Sequence, residues 1–81
     1  MRILFADPFP SQVEKLPEET KRKLRKQIGF LSKDIRHPSL HAKKYDKARD
    51  ILQARVNGHY RFYFKIDDDT YVIVSITKHP K

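Results

Sequence analysis

The sequence contains no cysteine and no tryptophan among its 81 residues. Without cysteine, the chain cannot form a disulfide framework, a thiolate metal site or a thiol nucleophile. Long apolar runs are also absent. The one apolar stretch near the N-terminus, Ile3 to Ala6, is far shorter than the hydrophobic region of a signal peptide or a membrane span. We therefore expect a cytoplasmic location.

Glycine is scarce, and its two occurrences, Gly29 and Gly58, are isolated. The chain therefore has neither a glycine-rich phosphate loop nor a G-x-S-x-G nucleophile elbow, and nothing supports nucleotide hydrolysis or acyl transfer. The histidines do not have the spacing of a zinc site, so we expect no metal and no other cofactor. There are four of them: His37, His41, His59 and His79.

Acidic residues are outnumbered, with 10 Asp and Glu against 18 Lys and Arg, and the formal charge at pH 7 is +8. Such a charge favours a polyanionic partner such as nucleic acid, although an acidic protein or an anionic membrane surface would be attracted by the same field. The length allows one modest hydrophobic core. We therefore expect residues 1–81 to form a single domain.

The N-terminal half has a strand pattern followed by two helical patterns. Arg2 to Ala6 is a candidate strand, and Asp7 before Pro8 predicts a helix with Asp7 as its N-cap. After Pro17, an apolar stripe at spacings of four, three and four predicts a second helix from Glu18 to about Ile35. The opposite side of this helix is basic, which fits either a solvated face or contact with phosphates. Residues 39–49 then form a basic connection.

The C-terminal half alternates with period two over three segments, Ile51 to Val56, Tyr60 to Ile66 and Thr70 to Lys78. A three-residue first loop, 57–59, leaves one face of the hairpin apolar, whereas a two-residue Asn-Gly turn would mix polar and apolar residues. The same reasoning makes 67–69 the second turn. It pairs the phenylalanines with valines, as Phe64–Val72 and Phe62–Val74, and Tyr60 with Ile76.

These registers divide the three strands into an apolar face and a polar face. The helices are then available to cover the apolar face, and the N-terminal strand can pair beside one of the last strands. The predicted fold is α+β, with two N-terminal helices on one face of a four-stranded, mainly antiparallel sheet in the order β-α-α-β-β-β. The polar face is predicted to carry Gln53, Arg55, Arg61, Tyr63, Lys65, Tyr71, Ile73, Ser75 and Thr77.

Arg55 and Arg61 become direct cross-strand neighbours in this register. Like charges opposite one another on a sheet are destabilising unless a negative group lies near them, so the pair suggests an anionic ligand. Three other arrangements remain open. The guanidinium groups would equally be accommodated by water, by stacking on Tyr63 and Tyr71, or by pairing with carboxylates.

If the ligand is RNA, a phosphodiester can be cleaved without a cofactor, because the 2′-hydroxyl supplies the nucleophile. Arginines would stabilise the pentavalent phosphorane, and a residue that titrates near neutrality would move protons. Arg55 and Arg61 fit the first role. His79, just past the last strand, is a candidate for the second, with Lys78 beside it; the alternative for His79 is a frayed, solvent-exposed residue.

The order of these segments resembles the RelE/ParE superfamily of type II toxin–antitoxin toxins. The resemblance spans HPSLHAKKYDKARDILQARVNGHYRFYFKIDDDTYVIVSITKH and the helical LPEETKRKLRKQIGFL segment, which together make up nearly the whole chain. Its pieces are an HPSL turn, a KKY segment, an A-R-V strand, a YR strand, an acidic turn and a final strand ending in KH. The resemblance implies the α+β fold predicted above.

In the RelE-like branch, the toxin cuts mRNA in the ribosomal A site and a cognate antitoxin neutralises it. The resemblance therefore implies a ribosome-dependent endoribonuclease that inhibits translation, with antitoxin, ribosome and mRNA as partners and neither a membrane nor a small-molecule cofactor. The implied catalytic residues are Arg55, Arg61 and His79. The implied RNA-binding residues are Lys43, Lys44, Gln53, Tyr63 and Lys78.

The sequence departs from the family pattern at two positions. Gln53 stands where several active members have lysine or glutamate, and no tyrosine follows His79. Two alternatives to the nuclease therefore stay open. One is a ParE-like inhibitor that binds DNA gyrase, and the other is a catalytically degenerate member that retains antitoxin binding.

Overall fold

The computed structural model describes residues 1–78 as five strands, two α-helices and one short 3₁₀ helix. The helices are α1 (Phe9–Glu14) and α2 (Glu18–Lys33), and the 3₁₀ helix is Pro38–Leu40. The strands are β1 (Arg2–Phe5), β2 (Lys43–Asp46), β3 (Ile51–Arg55), β4 (Tyr60–Asp67) and β5 (Thr70–Lys78).

The strands form one sheet in the order β1-β5-β4-β3-β2. Strands β2 to β5 are antiparallel neighbours, and β1 pairs with β5 in parallel. The predicted α+β architecture is confirmed, but the sheet has five strands where the sequence predicted four. The additional strand, β2, was missed because its residues Lys43 to Asp46 show no apolar alternation: three of the four are exposed.

Both helices lie near their predicted positions, with differences at the ends. Asp7 does not cap α1; the helix begins at Phe9, its N-cap position is Pro8, and no side chain caps it. Helix α2 begins at Glu18 after Pro17, as predicted, and ends at Lys33, two residues before Ile35. It stops there because Asp34 adopts an extended conformation, although its N–H still donates to the carbonyl of Phe30.

The core lies between the helices and one face of the sheet. The helical side contributes Phe9 from α1 and Leu24 and Leu31 from α2, and Leu40 of the 3₁₀ helix joins them. The sheet contributes Ala54, Val56, Phe62, Phe64, Tyr71, Ile73 and Ile76. Since all of these side chains face the helices, the other side of the sheet remains available for polar residues.

The hairpin of β3 and β4 has the predicted register. Leu52 pairs with Phe64, Ala54 with Phe62, and the three-residue loop 57–59 is closed by a hydrogen bond from the N–H of Val56 to the carbonyl of Tyr60, 3.0 Å.

The hairpin of β4 and β5 differs from its predicted register. Asp67 belongs to β4 and pairs with Thr70, so the turn consists of two residues, with Asp68 in the left-handed region at φ 53°. Aspartate tolerates that conformation better than most residues. The two-residue turn puts Tyr71 and Ile73 into the core in place of the predicted valines, 72 and 74.

A β-bulge then restores the later part of the predicted face. Tyr63 pairs with Ser75 but Phe64 pairs with Ile73, so Val74 is an extra residue on β5. The extra residue reverses the alternation, and Ile76 points into the core opposite Phe62, where the sequence had placed Val74.

Candidate functional site

Arg55 and Arg61 lie opposite each other on the polar face of the sheet, as predicted. Arg55 is the last residue of β3 and Arg61 the second residue of β4, so both lie beside the loop 57–59, at the turn end of the hairpin. Both are partly buried. Both side chains therefore extend from paired strands rather than from the loop itself.

The two guanidinium groups share one acceptor, the backbone carbonyl of Asn57. Arg61 donates from Nη1 to this oxygen at 2.7 Å and to the carbonyl of Tyr60 at 3.0 Å, and Arg55 donates from Nε at 3.4 Å. The side chain of Asn57 fixes the loop in turn. Its Oδ1 accepts from the N–H groups of His59, 2.8 Å, and Tyr60, 3.0 Å.

Within residues 1–78, neither arginine is within ion-pair distance of a carboxylate. The ion pairs in this part of the chain are Lys21–Glu18, Arg36–Asp34, Lys44–Asp50 and Arg49–Asp46. Neither arginine stacks on an aromatic ring there either, and Tyr71 is buried on the opposite face of the sheet. Among the described residues, the arginines thus neither pair with carboxylates nor stack on tyrosines, two arrangements that the sequence left open. No carboxylate in that part of the chain neutralises the positive charge of the pair.

The arginine pair forms one side of a cleft of about 230 Å³. Its lining residues are His41, Lys43, Gln53, Ala54, Arg55 and Arg61. Three cationic side chains and one imidazole thus surround a space with no carboxylate in its lining. Guanidinium groups donate in a fixed planar fork that matches the oxygens of a phosphate, so the cleft has the chemistry of a phosphate-binding site.

Four of the residues predicted from the sequence are gathered at this cleft, and a fifth borders it. Lys43 pairs with Gln53 across β2 and β3, so these two side chains lie on the same face as the arginines. Tyr63 pairs with Gln53 from the neighbouring strand β4. The centroid of its ring lies 4.7 Å from the centroid of the Tyr45 ring. Gln53 is buried between these neighbours.

Lys44 and Lys78 do not line the cleft. Lys44 pairs with Leu52, which packs against the core, so Lys44 lies on the other side of the sheet from Lys43. It forms an ion pair with Asp50, and the hydrogen bond and charge of Lys44 lower the pKa of that carboxyl group. Lys78 lines a separate groove beside the start of α2.

The predicted proton-transfer residue, His79, lies outside the described residues. A different histidine, His41, lines the cleft. It follows the 3₁₀ helix directly and adopts the left-handed conformation, φ 47° and ψ 44°. Nothing in the sequence assigned a role to His41, because it is separated from the arginines by more than a dozen residues and only the β2 pairing brings them together.

Residues 1–78 contain no group of three or more His, Asp and Glu side chains close enough to hold a metal ion. Neither helix of that part of the chain is long and apolar enough to cross a membrane.

No model of a known protein family matches the sequence, and no curated protein matches it. Solved structures do match in fold. A YoeB/ParE toxin from Agrobacterium tumefaciens superposes with a TM-score of 0.82 at 9% identity, over 99% of this chain and 100% of that one. A RelB–RelE antitoxin–toxin complex from Methanococcus jannaschii gives 0.76 at 18% identity, over 93% and 88%. The intact RelBE toxin–antitoxin complex from E. coli gives 0.77 at 16% identity, over 99% and 98%. The chain therefore has the fold of the RelE/ParE toxins, as the sequence resemblance implied.

Proposed function

We propose that the protein is the toxin of a type II toxin–antitoxin system and that it cleaves mRNA on the ribosome. The observation that carries this proposal is the arginine pair: two guanidinium groups on adjacent paired strands, lining one cleft with no carboxylate in its lining. The shared fold with RelE and YoeB toxins supports it independently. A cytoplasmic location follows from the proposed target, because ribosomes are found there.

The proposed reaction is a transesterification within the RNA strand. The 2′-oxygen attacks the adjacent phosphorus, the bond from phosphorus to the 5′-oxygen breaks, and a 2′,3′-cyclic phosphate and a 5′-hydroxyl result. The 2′-hydroxyl gives its proton to a base, and the 5′-oxygen receives one from an acid. Arg55 and Arg61 would bind the non-bridging oxygens, on which negative charge increases in the phosphorane.

Proton transfer is assigned to histidine, which changes its protonation most readily near neutral pH. His79 was predicted from the sequence and remains the first candidate. His41 is a second, because it lines the same cleft as the arginines. Their roles are separable, since replacing the true acid or base with asparagine would change the pH dependence of cleavage, whereas replacing the other would not.

Other basic and polar side chains would hold the RNA on either side of the scissile phosphate. Lys43 and Gln53 line the cleft and Tyr63 borders it, so we assign them to the nucleotides next to the cleaved bond. Lys44 and Lys78 lie away from the cleft and would contact more distant phosphates of mRNA or ribosomal RNA.

The proposed protein partner is a cognate antitoxin. Solved structures with this fold include RelB–RelE and YoeB–YefM toxin–antitoxin complexes. The net charge of +8 favours an acidic partner segment.

The test is to induce the protein in cells and map mRNA 5′ ends by primer extension. Wild type is expected to produce cuts in phase with codons, and Arg61→Ala is expected to produce none. Arg49→Ala is the matched control, because Arg49 is an exposed arginine away from the cleft and should cut as wild type does. Absence of codon-phased cuts together with impaired DNA supercoiling would instead identify a gyrase inhibitor.

A further inference from the structure

The buried glutamine Gln27 is a polar residue in the middle of the apolar face of α2. Its exposed fraction is 1%, while Leu24 and Leu31 on the same face belong to the core. Burying an amide is unfavourable unless its donors and acceptor find partners. A leucine at this position would continue the apolar face of α2 without needing hydrogen-bond partners. The partners of the buried amide therefore indicate what Gln27 contributes.

Three hydrogen bonds satisfy the amide group of Gln27. Its Nε2 donates to the carbonyl of Ser39 at 3.0 Å and to the carbonyl of Arg55 at 2.8 Å. Its Oε1 accepts from the hydroxyl of Ser39 at 2.7 Å. One side chain of α2 thus connects the 3₁₀ helix to the end of β3.

The bond to Arg55 occurs on the β2 side of β3, where the sheet provides no partner strand at this residue. Strand β2 begins at Lys43, which pairs with Gln53, so β2 does not extend alongside Arg55. The carbonyl of Arg55 accepts from Gln27 there instead of from a strand. The backbone that carries the first arginine of the pair is therefore fixed from the core side by a helix.

The two bonds to Ser39 hold a second segment of the cleft. Ser39 lies in the 3₁₀ helix, and His41 follows that helix directly in the left-handed conformation. His41 and Lys43 line the cleft together with the arginines. The same glutamine that holds the backbone of Arg55 therefore also holds the turn that presents His41.

We propose that Gln27 is a positioning residue of the cleft, which fixes the separation of the Arg55 strand and the His41 turn through its bonds to Arg55 and Ser39. The inference rests on the proposed function in that the cleft binds the scissile phosphate. Gln27 itself would not touch RNA. Its effect is to hold the phosphate-binding groups in place before the ligand arrives, so that binding requires less ordering.

Gln27→Met tests the inference, because methionine has a similar length and is apolar, but lacks both N–H donors. The probe is inorganic phosphate, titrated while NMR follows the Nε–H signals of Arg55 and Arg61. Phosphate affinity should fall about five- to tenfold, because the variant loses all three hydrogen bonds and part of that loss appears as weaker ordering of the site. The rate of ribosome-dependent cleavage should fall with it.

The matched control is Gln12→Met. Gln12 is another glutamine that ties a helix to the sheet, since its Oε1 accepts from the N–H of Ile76 at 2.8 Å, but it is not part of the cleft. This variant should lose stability yet bind phosphate as wild type does. If Gln27→Met does not fold, Ser39→Ala provides the test, because it removes only the hydroxyl bond and should weaken phosphate binding about threefold.

The outcomes separate this inference from the proposed function. A folded Gln27→Met protein with wild-type phosphate affinity would overturn the positioning role and leave the nuclease proposal standing. If Gln27→Met cannot be studied, a wild-type affinity in Ser39→Ala would have the same meaning. A wild type that binds phosphate at the arginines but does not cleave mRNA would remove the nuclease and leave the positioning role. A wild type whose arginine signals do not respond to phosphate would remove both.

Discussion

Replacing Asn57 with alanine should destabilise the protein by an amount that follows from two hydrogen bonds. The Oδ1 atom of Asn57 accepts from the N–H groups of His59 and Tyr60, and alanine removes both bonds. Each is worth about 1 kcal/mol, and the loop is exposed enough for water to replace part of the loss. We therefore expect the free energy of unfolding to fall by about 1 to 2 kcal/mol, and Tm by roughly 5 to 15 °C for a domain of this size.

Asn57→Asp is the matched variant, because an aspartate oxygen can accept the same two bonds. Its stability should stay close to that of wild type. Its phosphate affinity should fall, since the new carboxylate lies in the loop whose carbonyl already accepts from Arg55 and Arg61. Urea unfolding followed by circular dichroism measures both stabilities. A free energy of unfolding for Asn57→Ala within about 0.5 kcal/mol of wild type would refute the role assigned to this side chain.

Three further predictions concern the register, an ion pair and the charge of the cleft. Ile73→Ala should lower the free energy of unfolding by about 2 to 5 kcal/mol and Val72→Ala by about 1 kcal/mol or less, because only Ile73 is fully buried. Urea unfolding measures both values. The reverse order would support the register predicted from the sequence. The pKa of Asp50, followed by NMR, should lie below its ordinary value and rise towards it in Lys44→Met. Because the pKa of Asp50 is lower in the folded than in the unfolded state, the ion pair stabilises the fold above about pH 4, and this contribution disappears as the pH falls through the folded-state pKa. A pKa unchanged by Lys44→Met would contradict the assignment. Arg55→Ala should reduce the slope of log affinity for RNA against log salt concentration by about 1, whereas an unchanged slope would mean that Arg55 does not contact phosphate.

The first hairpin and its arginine pair could be predicted because local rules determine them. A one-residue change of register would have put Tyr60 and Phe62 on the face of Gln53, so the apolar pattern allowed one loop length. The second helix was equally predictable, since Pro17 and a regular apolar stripe define its start and its buried face.

The second hairpin could not be predicted, because a turn and a bulge compensate each other. Shortening the turn by one residue reverses the faces of β5, and the extra residue Val74 reverses them again. Every residue from Tyr71 to Val74 is apolar or aromatic, so the sequence alone gives no preference for either face. Which side chains of β5 face the core therefore depends on how the sheet packs against the helices.

The remaining parts of the candidate site depend on pairing between distant segments. Lys43 to Asp46 forms a strand only because β3 lies beside it, and this pairing brings His41 to the arginines. The buried amide of Gln27 was equally hidden, because glutamine on a helix is usually exposed.

Single-turnover cleavage of mRNA on purified ribosomes tests the central claim most directly. Wild type is expected to leave a 2′,3′-cyclic phosphate at the cut. Arg55→Ala and Arg61→Ala, each checked for an intact fold, are expected to cut about 10² to 10³ times more slowly, as when a donor to a developing charge is removed. Arg49→Ala should cut at the wild-type rate. Cleavage by both cleft variants at the wild-type rate would contradict the account.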